Sequence, residues 1–230
     1  MEQFSCWNKC YNQVMNHVTQ ELLDERLALA DALLAGRRTM LEPQDLPGRY
    51  GRVVHAVDRV LAAIGCEAAV GGGWAVWRHG YVGRVTQDVD IVIPADRIDD
   101  FLQAAAVSGF QVLARVPGRW PKLLHKETDV QVDILPEGER PGVPPDLAPT
   151  MIPHPAQLGA AGARLCYVEL PGLVELKLAA GRLKDQADVI ELIRANPEHA
   201  GRIRDHLAAR CPEYASTFDE LAERSQREDR

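Results

Sequence analysis

No stretch of this 230-residue chain approaches the roughly 18 to 20 consecutive apolar residues that a membrane-spanning helix needs, so a membrane protein is not expected. The start, MEQFSCWNKCYNQ, lacks the basic opening and apolar run of a secretion signal, which points to the cytoplasm. Cysteine is sparse: five residues, odd in number and scattered (Cys6, Cys10, Cys66, Cys166, Cys211), fit reduced thiols and not a disulfide framework. Cys6, Cys10 and His17 fall at helical spacing, but no second ligand pair follows at zinc-site spacing. Cations are in deficit too, 26 Lys and Arg against 33 Asp and Glu for a formal net charge of −7, which argues against broad non-specific binding to nucleic acid. A confined basic groove using Arg37, Arg38, Arg182 and Lys184 stays open. There is no internal repeat, and His79, His125, His154, His199 and His206 show no paired spacing.

What is present is an alternation of helical and strand patterns, which predicts an α+β fold with an α/β-like core: a small mixed sheet flanked by helices, a helical C-terminal half and N-terminal helices. The first forty or so residues read as one or two amphipathic helices ending at Gly36, followed by a connector. A helix over 50–64 carries Val53, Val54, Val57, Val60, Leu61 and Ile64 on one stripe. Then come the strand CEAAV, the run Gly71-Gly72-Gly73, a brief helix WAVWRHG and the strand DVDIVI. A helix after Pro94 and the strands FQVLARV, WPKLLH and DVQVDIL complete this part. Residues 136–160, rich in Pro and Gly, read as a long loop or lid-like connector. Beyond a short strand RLCYVEL, Pro171 is expected at the first position of a helix LVELKLAAGR. KDQADVIELIRA, two further helices and a frayed tail ERSQREDR follow.

Alternate residues of a strand share a face, so Asp88 and Asp90 point one way while Val89, Ile91 and Ile93 point into a core. Two carboxylates roughly 6 to 7 Å apart, at about 3.3 Å per residue, repel one another and call for a positive partner. Mg²⁺, with Mn²⁺ as its substitute, is the candidate, because hard oxygen donors suit it and it also binds substrate phosphates. In DVQVDIL, Asp133 is the acid embedded in the apolar strand and Asp129 the alternative at its start; either would supply a third ligand for a two-metal site. Gly72 and Gly73 allow close approach of the backbone to a triphosphate. No Lys-Ser/Thr follows them, so this is not a P-loop. Arg84 and Thr86, on the approach to the acidic strand, either face a triphosphate or cap the strand. Trp74, Trp77 and Tyr81 are read as core.

Gly72-Gly73, Asp88-Val89-Asp90 and Asp133 in this order resemble the DNA polymerase β-like nucleotidyltransferase superfamily. The longer strings GGWAVWRHGYVGRVTQDVDIVI and LVELKLAAGRLKDQADVIEL are similar to the AbiEii-type and related stand-alone bacterial nucleotidyltransferases, many of them toxins of toxin–antitoxin pairs. The resemblance spans about residues 65–195. It implies an enzyme that uses a divalent ion to move a nucleoside monophosphate from a nucleoside triphosphate to an acceptor hydroxyl on tRNA, protein or a small molecule. Asp88, Asp90 and Asp133 would be its catalytic and metal-binding acids. It also implies that Lys177 contacts the nucleotide phosphates and that Arg182, Lys184 and Asp185 occupy the cluster that follows. Where relatives carry Gly-Ser, this chain has Gly-Gly-Trp, which removes a hydroxyl donor. The corresponding organisation is N-terminal helices and connector (1–48), catalytic core (49–136) and a loop with a helical C-terminal region (137–230). An antitoxin is the implied protein partner. An aminoglycoside-type antibiotic nucleotidyltransferase is the alternative, and a non-catalytic nucleotide-sensing or partner-binding module the alternative of another class.

Overall fold

A computed structural model describes residues 23–24, 27–28, 30–31, 41–83, 86–113, 119–159 and 161–228. The six described residues before 41 are helical, whereas Cys6, Cys10, His17, Gly36, Arg37, Arg38 and Arg84 lie outside the described set. Helix α1 (Gly48–Ile64) buries Val53, Val54, Val57, Val60 and Leu61, the stripe expected from their spacing. Gly65 ends it in the left-handed conformation, φ 62°. The fully buried strand β1 (Ala68–Val70) leads directly into the short helix α2 (Gly72–Arg78). Strand β2 (Asp88–Ile93), helix α3 (Ile98–Val107) and strands β3 (Phe110–Val112), β4 (Lys122–His125) and β5 (Val130–Pro136) follow.

These strands and β8 (Leu165–Tyr167) form one six-stranded mixed sheet in the order β3-β4-β5-β2-β1-β8. β2 is central, antiparallel to β1 and parallel to β5, and β4 runs antiparallel to β5 on its other side. The α+β expectation therefore holds. α1 packs on α3 and touches β5, covering the apolar face of Val89, Ile91, Val132 and Ile134. From Val92 onward β2 is buried on both faces, as suits the middle strand of a covered sheet.

Helices α4 (Leu170–Ala180), α5 (Leu183–Ala195), α6 (Ala200–Arg210) and α7 (Pro212–Glu228) make the C-terminal half. α4 is apolar nearly all round and sits inside this group, against α2, α5, α6 and α7. The residues that depart from that pattern, Glu175 and Lys177, are paired. Glu175 accepts from His206 Nε2 at 2.7 Å and Arg210 Nε at 3.1 Å, tying α4 to α6.

Three expectations change. Residues 136–160 are not a bare connector: they form the small hairpin β6 (Gly142–Val143) and β7 (Asp146–Leu147) and a 3-10 turn (Pro155–Leu158). Ile152 and Leu158 of this segment enter the core, which a loose lid would not allow. Pro171 follows Leu170 within the first turn of α4 instead of opening it, still where its missing N–H costs nothing. The expected frayed tail is helical to Glu228, because α7 packs on α5 and α6 and buries Leu221 and Ser225. No helix among the described residues is long and apolar enough to cross a membrane. Cys66, Cys166 and Cys211 are free thiols in the interior; burial pushes Cys166 up to about 11, so it is an inert packing residue.

Candidate active site

Parallel pairing of β2 with β5 sets Asp88 opposite Gln131 and Asp90 opposite Asp133. Because β4 is antiparallel to β5, Lys122 lies opposite Asp133 on its far side. One row across three strands therefore reads Asp90, Asp133, Lys122, all partly exposed, while the reverse face of the same strands is core.

One carboxylate oxygen from each of Asp88, Asp90 and Asp133 lies within 4.8 Å of the other two. Three hard oxygen donors with no thiol or imidazole among them suit Mg²⁺ or Mn²⁺ and not zinc. Asp129, the alternative third acid, stands exposed in the turn before β5 at φ 52°, apart from this cluster. Asp133 has both oxygens engaged: Lys122 Nζ donates to Oδ2 and Gln131 Nε2 to Oδ1, each at 2.6 Å. Asp88 is held from two sides. The Thr86 hydroxyl donates to its Oδ1 at 3.3 Å, and the Trp74 indole donates to its carbonyl at 2.9 Å. Tyr50 in turn donates to the Thr86 carbonyl at 3.3 Å and packs on Trp74. The tryptophan read as core is core, and it also fixes the start of the acidic strand.

The glycines have a use that their spacing did not suggest. α2 begins at Gly72 itself, at φ 56°, and a Cβ there would stand 1.7 Å from Asp90 Oδ2. A Cβ on Gly73 would stand 2.4 Å from Thr86 Oγ1. Gly71 N–H donates to the Asp90 carbonyl at 2.9 Å. Their bare faces make room for the chain's own carboxylate and its hydroxyl partner, so helix and acidic strand can meet without a side-chain layer between them.

The second cluster lies where α4 meets α5. Lys177 does not present its ammonium openly to a phosphate: it is almost buried and donates to Asp185 at 3.1 Å and Asp188 at 2.7 Å. The resemblance implied contact with the nucleotide phosphates. The geometry instead makes Lys177 the counter-charge of two buried acids, without which they would stand desolvated and unpaired. Arg182, with 60% of its side chain exposed, closes the cluster from outside by donating to Asp185 at 2.5 Å. Burial works to raise the Asp185 carboxyl, but the Arg182 hydrogen bond and the Lys177 charge outweigh it and hold the group below its ordinary value. Burial likewise works to lower Arg182, and its bond to Asp185 together with the negative charges of Asp185, Asp90 and Asp188 raises it above its ordinary value. Arg182 thus feels the field of Asp90 and belongs electrostatically to both clusters. Lys184 is exposed beside it.

Lys122 and Gln131 escaped the sequence reading, although the alternation of WPKLLH against DVQVDIL carries the signal once the two strands are paired. At the far end of α2 a cleft of about 350 Å³ opens among His79, Glu169, Asn196 and Arg202, and it contains none of the three acids.

No known protein-family profile matches the chain, and no curated protein does. Solved structures that resemble it distantly include two of one enzyme. The crystal structure of ANT(2'')-Ia in complex with adenylyl-2''-tobramycin is 15% identical, with a TM-score of 0.43 over 75% of this chain and 97% of that one. The solution structure of the antibiotic-resistance factor ANT(2'')-Ia is 19% identical, with a TM-score of 0.47 over 76% of this chain and 96% of that one. Similarity at this level says nothing about chemistry.

Proposed function

We propose that the chain is a metal-dependent nucleotidyltransferase, moving a nucleoside monophosphate from a nucleoside triphosphate to an acceptor hydroxyl with release of pyrophosphate. The observation that supports this most is the convergence of Asp88, Asp90 and Asp133 from two strands onto one open face. Mg²⁺ or Mn²⁺ held there would supply the charge that lowers the acceptor's pKa and steadies the leaving pyrophosphate. Asp88 and Asp90 would be the shared ligands, and Asp133 would complete the set and receive the acceptor's proton on its carboxylate. Thr86 orients Asp88. Arg182 and Lys184 supply positive charge for the phosphates, the positioning on which this class of transfer depends. Lys177 and Asp185 hold the α4–α5 corner that presents Arg182. Arg84 joins the phosphate-facing set on sequence grounds alone, as do the amides of Gly72 and Gly73. Residues 49–136 supply the acids and 137–230 the cationic corner.

The test is incubation with labelled nucleoside triphosphates and Mg²⁺, with total tRNA, protein and aminoglycosides offered separately. Label on tRNA or protein marks a toxin-like enzyme, and label on an aminoglycoside a resistance enzyme. Asp90→Asn is expected to abolish transfer, and full activity in that variant would overturn the mechanism. Binding of Mg²⁺ and a triphosphate analogue without turnover on any acceptor would instead support a nucleotide-sensing module.

A further inference from the structure

Three carboxylates within 4.8 Å of one another would repel strongly if nothing offset them. The row across the sheet already contains an offset. Lys122 sits at the register position opposite Asp133 and reaches its Oδ2 at 2.6 Å, leaving 41% of its own side chain exposed and 23% of that of Asp133. With Gln131 on Oδ1, both oxygens of the third acid have partners from its own sheet.

We infer that Lys122 is a built-in counter-cation of the acid trio, a positioning residue that competes with a divalent ion for Asp133. This rests on the transfer reading only in that a divalent ion binds the trio. Without the ion, Lys122 holds Asp133 in line and tempers the repulsion across the row. When the ion arrives, it shares the Asp133 carboxylate with the lysine's charge, so affinity on the Asp133 side falls with the strength of the lysine's hold. The carboxylate that Lys122 reaches is that of Asp133.

A purely structural lysine predicts the opposite response to its removal: loss of Lys122 would disorder Asp133 and weaken metal binding. The experiment is Lys122→Met, which keeps the aliphatic stem and deletes the charge, with Lys122→Gln as the substitute should that variant fail to fold. Mn²⁺ binding is followed by the loss of the free-ion electron paramagnetic resonance signal, and melting is recorded in chelator. The charge-deleted variant should bind Mn²⁺ about two- to fivefold tighter, the scale of a half-exposed ion pair. It should also melt a few degrees lower in chelator, and the gain in affinity should disappear in an Asp133→Asn background. Unchanged or weaker Mn²⁺ binding overturns the inference, and so does a gain that persists without Asp133. Should the unaltered protein and Asp90→Asn both fail to bind Mn²⁺, the transfer reading falls by itself. The melting shift in chelator then decides whether Lys122 is a counter-cation at all, and no shift overturns it.

Discussion

Two clusters of charge sit a short way apart, and they are opposites. The α4–α5 cluster is balanced and closed: Lys177 and Arg182 answer Asp185 and Asp188, and the acids are sealed in the interior. The β2–β5 cluster is acid-rich and open: three carboxylates converge on a partly exposed face, with Lys122 on Asp133 and the charge of Arg182 felt at Asp90. A buried ion pair yields little net stability but is costly to break, which is how a chain fixes the angle between two helices. An open surplus of one sign stabilises nothing and persists where a ligand completes it. The difference separates the part that builds the site from the part that works.

The sharpest break of that comparison is a pair of substitutions with opposite consequences. Asp90→Asn should cut transfer at least about a hundredfold, the scale of losing one preorganised electrostatic group. It should leave the melting temperature unchanged or raise it, since it relieves repulsion. Lys177→Met should do the reverse, destabilising the fold by about 3 to 5 kcal/mol in denaturant titrations because two buried carboxylates lose their partner. Equal effects of the two on stability would erase the distinction.

Gly72→Ala probes the seam between helix and acidic strand. The new methyl meets Asp90 Oδ2 at 1.7 Å and requires φ 56° of a residue that resists it. A loss of about 1 to 3 kcal/mol is expected, read by denaturant titration, together with weakened Mn²⁺ binding as Asp90 is displaced.

Arg182→Gln sharpens the comparison from the side where the clusters meet, and its cost in stability is largest near neutral pH and fades in acid. Asp185 titrates in the folded protein below its ordinary value of 3.8. Its contribution to stability is therefore fully present above about pH 3.8 and is lost as pH falls through the lowered value. Removing Arg182 should move that loss to higher pH in acid-unfolding curves. It should also raise KM for the triphosphate more than it lowers kcat.

Much of this was legible in the residues themselves. Period-two alternation assigned Asp88, Asp90 and Asp133 to faces, and the valine stripe placed α1, because both are local patterns imposed by burial. The role of Lys122 was not legible, since it comes from which strand lies beside β5 and in what register, whereas Gln131 shares the face of Asp133 by alternation within β5 itself. The partners of Lys177 were hidden for a related reason: a lysine among leucines reads as a side chain reaching outward until the next helix brings two acids down upon it. The packing of the glycines against Asp90 and Thr86 is likewise a property of two elements meeting. Each of these depends on which element comes to lie beside which, and pairing between distant segments leaves no local trace.

That pairing makes the acidic face a proofreader of the fold. A slip of β5 by one residue against β2 would replace Asp133 with Val132 beside Asp90, send carboxylates into the core and turn valines to water. A molecule with that error would lose the three-acid face on which the proposed transfer depends, so chains in the wrong register would be silent in an assay instead of partly active. Specific activity in a refolded sample would then count correctly threaded molecules.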